Sequence, residues 1–187
     1  MAINALIFDC DGTLCDSMQA HFVCWRDALA PYGMQLESEN FFRHSGTPSS
    51  TVIPMLAEQQ GVTIDFEAAL QLKEEMFLKS VDLLGPVEPV VQIAKDNRDK
   101  KPMAVASGGT RALVNLQLEH LNIIDWFQAI VTCEDTERHK PDPDVFLEAA
   151  RRLGVPPAEC VVYEDGEPGI VAARAAGMQC VDIREMI

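Results

Sequence analysis

Five short apolar runs recur along this chain, with stretches of helical spacing between them, and that alternation limits the fold more than any other feature. The runs are Ala5–Phe8, Met103–Ala106, Ala129–Thr132, Cys160–Tyr163 and Gln179–Ile183. Gly, Pro or polar residues bound each one, as they bound strands. Helical patterns fill Val87–Asn97, Arg111–Leu121, Asp144–Leu153 and Pro168–Ala176. The third of these stops at Gly154, with Pro156 and Pro157 beyond it, and the fourth meets Gly177; both are ordinary helix ends. Strands alternating with helices predict an α/β fold, a parallel sheet with helices on both faces.

One interval breaks the alternation. Between the first strand and the next strand–helix unit, helical spacing replaces strands. His21–Ala30 ends near Pro31 and Gly33, Thr51–Gln60 ends at Gly61, and Phe66–Val81 is long and amphipathic. This predicts a small helical domain inserted after strand one, with linkers near Ser17 and near Leu83–Pro86. The expected division is a core of residues 1–16 and 83–187 and an insertion of residues 17–82. Repeats and low-complexity tracts are absent from the sequence.

Charge narrows the partners. The 187 residues carry 15 basic and 29 acidic side chains, a formal net charge of −14. Such a chain is poorly suited to nucleic acid or to anionic membranes. No run of 18 apolar residues exists to span a bilayer, and the N-terminus does not read as a secretory leader. A cytoplasmic location is the expectation. Cys10, Cys15, Cys24, Cys133, Cys160 and Cys180 form no C-x-x-C pair. They read as reduced thiols rather than a disulfide framework or a zinc site.

The chemistry sits at strand ends, where ligands bind in open α/β sheets. The first strand runs into Asp9-Cys10-Asp11-Gly12-Thr13 and so delivers two carboxylates to one spot. Close carboxylates repel and call for a cation or a proton. Ser107-Gly108-Gly109-Thr110 follows the second strand; it reads either as a phosphate nest at a helix start or as an ordinary turn. Arg138-His139-Lys140-Pro141-Asp142-Pro143 places a lysine between stiffening prolines, which alone is compatible with a solvated turn. Glu164-Asp165-Gly166 brings a second acid pair, which alone is compatible with a helix cap. Together these four carboxylates would repel a phosphate dianion. A pair of like charges 4 Å apart costs about 4 kcal/mol at an effective dielectric near 20. A divalent cation and Lys140 would offset that. An all-oxygen donor set suits Mg²⁺ better than Zn²⁺.

In that order, Asp9-x-Asp11-Gly12-Thr13, Ser107, Lys140-Pro141 and Glu164-Asp165 resemble the motif set of the haloacid dehalogenase superfamily of phosphohydrolases. The resemblance runs the whole chain and includes Pro168 to Met178. It implies a Rossmann-like core, with the helical insertion as the superfamily's small α-helical cap. Asp16, His21 and Trp25 match D-[ST]-x-x-x-H-x-x-x-W, the cap start of the branch holding β-phosphoglucomutase and bacterial fructose-1-phosphate phosphatases. The resemblance implies Asp9 as nucleophile and Asp11 as general acid and then base. It implies Ser107, Gly108 and Lys140 as phosphate-binding groups. Asp9, Asp11 (through its backbone carbonyl), Glu164 and Asp165 are the implied Mg²⁺ ligands. Gly166 departs from the serine often found there, so one supporting hydrogen bond would be missing.

Within the branch, a mutase needs a cation for a second, remote phosphate. The matching loop here, His44-Ser45-Gly46-Thr47-Pro48-Ser49-Ser50, holds no arginine at the matching place, and Arg43 lies before it. That favours a Mg²⁺-dependent phosphatase acting on a small phosphorylated sugar such as fructose 1-phosphate, with β-phosphoglucomutase as the alternative. His21, Thr47, Ser49 and Lys73 are candidate sugar contacts. His21 also reads as structural and Lys73 as a solvated helix lysine, while Trp25 reads as cap core. A monomer or weak homodimer is expected. A receiver domain is disfavoured by the long insertion. A silent phosphosugar-binding protein is the remaining rival, but no motif residue is lost.

Overall fold

The computed structural model describes residues 2–44 and 46–187, so Ser45 of the matching loop lies outside the described residues. In chain order the strands are β1 (Ala5–Phe8), β2 (Cys15–Asp16), β3 (Gly85–Pro86), β4 (Met103–Ala106), β5 (Ala129–Val131), β6 (Cys160–Glu164) and β7 (Gln179–Asp182). The α-helices are α1 (Met18–Leu29), α2 (Ser38–Arg43), α3 (Ser49–Gln60), α4 (Phe66–Leu78), α5 (Glu88–Asn97), α6 (Arg111–His120), α7 (Asp144–Leu153) and α8 (Glu167–Ala175).

Five strands form one parallel sheet in the order β5-β4-β1-β6-β7. Strand β1 lies at the centre, and the order reverses between β1 and β6, which opens a crevice at their C-terminal ends. All four residues of β1 are buried because both faces of the sheet are covered. Ala5 and Ile7 pack among Phe146, Ala149, Ala172 and Ala173 of α7 and α8. Leu6 and Phe8 turn the other way, toward Val90 and Ala94 of α5 and Val114 and Leu118 of α6. Phe8 stacks on Tyr163 of the neighbouring strand, with centroids 4.9 Å apart. The expected Rossmann-like α/β architecture is therefore the observed one.

Helices α1 to α4 lie between β2 and β3. They have an apolar cluster of their own, with Trp25, Leu29, Val52, Ile53, Leu56 and Ala69 buried in it. Where the chain leaves the sheet region and where it returns, β2 and β3 pair antiparallel, Cys15 opposite Pro86 and Asp16 opposite Gly85. That neck was not expected from sequence, because two-residue strands carry no periodicity. Helix α2 was likewise missed; six residues are too few for a stripe. The long pattern Phe66–Val81 divides. Helix α4 ends at Leu78, the Ser80 hydroxyl donates to the Phe77 carbonyl at 2.8 Å, and Val81–Leu83 is a separate 3₁₀ turn. Among the described residues, no helix is long and apolar enough to cross a membrane.

Candidate active site

The sheet brings the sequence-selected polar groups to one edge. Asp9 directly follows β1, Ser107 follows β4, and β6 ends in Glu164 with Asp165 next. Lys140, from the turn before α7, is 2% exposed and reaches into the same place. Its Nζ donates to Asp9 Oδ1 at 2.6 Å and to Glu164 Oε2 at 2.8 Å. The Gly166 N–H donates to the other oxygen of Glu164 at 3.0 Å. Lys140 also stands over the Phe146 ring, 5.0 Å from its centroid.

Turn geometry closes the acid cluster. Gly12 has φ +84°, and a Cβ there would fall 2.5 Å from Asp165 Oδ2. Any other residue would strain the backbone and push Asp165 out of place. The Thr13 hydroxyl holds Asp165 Oδ1 at 2.9 Å. Gly169, at the start of α8, plays a similar part for Glu164, since a Cβ there would lie 2.1 Å from the carboxyl carbon.

The charges do not balance within the protein. Asp9, Glu164 and Asp165 each offer a ligand oxygen, and these atoms lie within 4.8 Å of one another. One lysine faces them. Burial, followed by the Glu164 charge, pushes Asp9 up to about 8 even with Lys140 attached. Burial and then Asp9 push Asp165 up to about 7. Glu164 is also raised, by burial first, with Lys140 opposing and Asp165 adding. Burial alone would lower Lys140, but Asp9 and Glu164 hold it above its ordinary value. Buried carboxylates held above their ordinary range, with oxygens converging, are the donor set a hard divalent cation takes.

Asp11 is not part of this cluster by its side chain. Its Oδ1 accepts from the Ser17 hydroxyl at 2.6 Å and contacts His21 Nε2 at 2.7 Å. Burial works against ionisation of Asp11, but His21 and Ser17 hold it well below the usual carboxylate range. His21 is pushed down by burial and by Lys73, with Asp11 opposing. A neutral ring donating Nε2–H to an ionised carboxylate accounts for both. His21 stacks flat on Phe77 at 4.0 Å.

Above the acids lies a cavity, open to solvent at its mouth. Asp9, Asp11, Ser107 and Gly108 line its floor, and Trp25, Thr47, Ser49, Val52, Phe66 and Lys73 line its helical wall. The structure thus brings His21, Thr47, Ser49 and Lys73 to one space. Lys73 is 3% exposed and sits over the Phe77 and Trp25 rings at 5.0 and 5.8 Å. The reading of Lys73 as a solvated lysine is overturned, because α4 packs against α1 with this residue inward. Two polar candidates already have partners. The Thr47 hydroxyl donates to the Lys140 carbonyl at 3.3 Å, and Ser49 Oγ accepts from the Trp25 indole at 3.1 Å. Arg43 lies outside the cavity, exposed and paired with Glu39 at 2.6 Å. Cys133 lines the cavity too, but burial, followed by Glu134, raises its pKa, which disfavours a thiolate nucleophile. Ser17 and Thr13 were missed as supports; both lie inside or next to the quoted motif, where a hydroxyl near paired acids is the available signal.

A parallel sheet that converges buried carboxylates, one lysine and a hydroxyl beneath a roofed cavity is built for phosphoric monoester hydrolysis. The comparisons place the chain more narrowly. It belongs to the haloacid dehalogenase-like hydrolase family, whose model matches residues 6–183. It is 39% identical over 183 residues to fructose-1-phosphate phosphatase YqaB of Escherichia coli (strain K12), covering 96% of this chain and 95% of that protein. It is 29% identical over 192 residues to the β-phosphoglucomutase of Bacillus subtilis (strain 168), covering 97% of this chain and 83% of the other. Among solved structures, a hydrolase from Pseudomonas syringae superposes with a TM-score of 0.83 at 27% identity, covering 95% of this chain and 83% of that one. The chain is a phosphatase of the haloacid dehalogenase type.

Proposed function

We propose that this enzyme is a Mg²⁺-dependent phosphatase of small sugar monophosphates, fructose 1-phosphate among them, working through an aspartyl-phosphate on Asp9. The observation that carries this reading is the buried Lys140 bridging Glu164 and Asp9, with Asp9 itself on the floor of a roofed cavity. Asp9, Glu164 and Asp165, with the Asp11 carbonyl, would hold Mg²⁺. An ion held there would offset negative charge and supply Lewis-acid polarisation of the phosphate.

Asp9 Oδ attacks phosphorus, and the P–O bond to the sugar breaks. Lys140, Ser107 and the Gly108 N–H hold the equatorial oxygens and take up their charge. Asp11 passes a proton to the departing alkoxide and later takes one from the water that attacks the aspartyl-phosphate, so the cycle closes. Asp11 is ionised in the free site; an arriving dianion beside it raises its proton affinity, and the carboxylate takes up one proton from solvent as the ester binds and returns it when product leaves.

Residues 17–82 act as the cap in this reading, over a core of 1–16 and 83–187. His21, Lys73, Thr47 and Ser49 face the sugar. The cavity lining includes Lys73 but, among the described residues, no arginine. With Arg43 engaged by Glu39 on the surface, no arginine among the described residues supplies the grip a bisphosphate intermediate needs. The relative named for fructose 1-phosphate supports the phosphatase reading, and the Bacillus relative keeps the mutase as the second one. Six free cysteines fit a reducing, cytoplasmic setting.

Phosphate release with Mg²⁺ across a panel of sugar monophosphates tests this, with Asp9→Asn as the blank. Magnesium-dependent release that the blank lacks is the expected result. Conversion of β-glucose 1-phosphate to the 6-phosphate on adding a bisphosphate, without free phosphate, would establish the mutase instead.

A further inference from the structure

Gln117 lies on the inner face of α6 and is fully buried, yet neither Nε2 nor Oε1 has a hydrogen-bond partner. Buried amides are nearly always paired, so this one calls for an explanation. Its surroundings supply one. Leu113, one turn before it, belongs to a small cluster with Cys15, Cys24, Phe77 and Leu84, where the helical insertion meets the sheet. Leu121, one turn after it, packs against the same cluster. Gln117 is also one of three side chains, with His21 and Ser17, that stabilise the Asp11 carboxylate. Unlike the other two, it stops short of hydrogen-bond geometry.

Asp11 is arranged asymmetrically. Both Ser17 and His21 contact Oδ1. Oδ2 is turned toward Gly109, just ahead of α6, where an added Cβ would lie 3.3 Å from it. If Oδ1 is the oxygen that gives the proton to a leaving group, it has first to be freed from Ser17 and His21. The carboxyl then needs an anchor elsewhere.

We propose that Gln117 is the positioning residue for Asp11: its amide N–H takes one carboxyl oxygen when the other turns from His21 and Ser17 to the leaving oxygen of a bound ester. In that step the P–O bond breaks, the Asp11 proton passes to the alkoxide oxygen, and the amide stabilises the carboxylate left behind. The role rests on the phosphatase reading above, in which Asp11 is the general acid.

The test is Gln117→Met, which keeps length and removes both unpaired polar atoms. The variant is expected to fold with stability at least equal to the parent. Its kcat/KM for the best sugar phosphate of the panel should fall roughly 10- to 100-fold, the size of a misplaced general acid. For 4-nitrophenyl phosphate, whose leaving group needs no proton, the fall should stay under about 3-fold. Should Gln117→Met not fold, Gln117→Leu serves the same comparison. Equal losses for both esters, or no loss for either, would overturn the positioning role. Failure of the unaltered enzyme to release phosphate from either ester would instead overturn the phosphatase reading, and this role with it.

Discussion

Lys140 is the residue on which the site turns. It is the cation that bridges Asp9 and Glu164, and both contacts are short and buried. Removing one partner from such a group leaves uncompensated charge, which costs about 3–5 kcal/mol when the remaining charges cannot neutralise. Here they can, because Asp9 already titrates at about 8 and would take a proton more readily without the lysine. Lys140→Met should therefore lose about 3 kcal/mol at pH 9 and clearly less at pH 5. Urea unfolding at the two pH values measures this, and equal losses would show that the bridge is not electrostatic. Asp9, Ser107, Glu164 and Asp165 were legible in the sequence because they stand at the ends of apolar runs, and Lys140 because it falls between prolines after another; what singled them out was their joint occurrence in that order. The burial of Lys73 was not legible, since an amphipathic stripe does not say which neighbour a lysine will face.

At the level of elements, the loop after β5 is tied to two helices through one carboxylate. Asp135 accepts from the Thr132 N–H at 2.8 Å, from the Thr132 hydroxyl at 3.0 Å and from Arg152 of α7 at 2.7 Å. Arg111, at the start of α6, also binds it. Burial opposes ionisation, but bonds from Arg152 and Thr132 and the charge of Arg111 outweigh it and bring the group to about 2. A depressed carboxylate adds stability above its unfolded pKa and loses it as pH falls through the folded one. Asp135 thus supports the fold at neutral pH, and its contribution fades from about pH 4 down to about pH 2. Asp135→Asn should cost about 1 kcal/mol at pH 7, after allowance for solvent screening, and almost nothing near pH 2. Thermal unfolding at both ends checks this, and a loss independent of pH would point to lost packing. Helix α6, anchored here at one end and carrying Gln117 at the other, links this loop to the catalytic edge.

For the whole molecule, the dominant electrostatic fact is excess negative charge, −14 overall, with three buried carboxylates converging in the site. Asp9 and Asp165 have folded pKa values of about 8 and about 7, far above ordinary carboxylates. Raised carboxylates make a contribution that is most favourable below their unfolded pKa and is lost as pH rises through the folded values. Without a divalent cation, stability should therefore decline from about pH 4 up to about pH 8. A cation that binds the ionised cluster reverses this, and it competes with protons at the lower pH. The Tm gain from Mg²⁺ should be larger at pH 8.5 than at pH 6, with proton release on binding. Calorimetry in two buffers of different ionisation enthalpy measures the release, and a pH-independent Tm gain would place the metal away from these carboxylates.

The sequence alone determined the parallel sheet, the place of the helices inserted after its first strand and which polar residues stand at the strand ends. Strand burial and helix amphipathicity are written in local periodicity, and the motif residues sit at fixed offsets from the strands. Tertiary structure decided what local pattern cannot carry. It set the β2–β3 neck, formed between two-residue strands far apart in sequence. It turned Asp11 to His21 and Ser17 rather than to the other acids. It drew Lys73 inward and left Arg43 on the surface. It sealed an unpaired Gln117 beneath the catalytic edge. Each depends on which surfaces meet when the helices fold over the sheet, and burial against a distant element leaves no mark on the spacing of neighbouring residues.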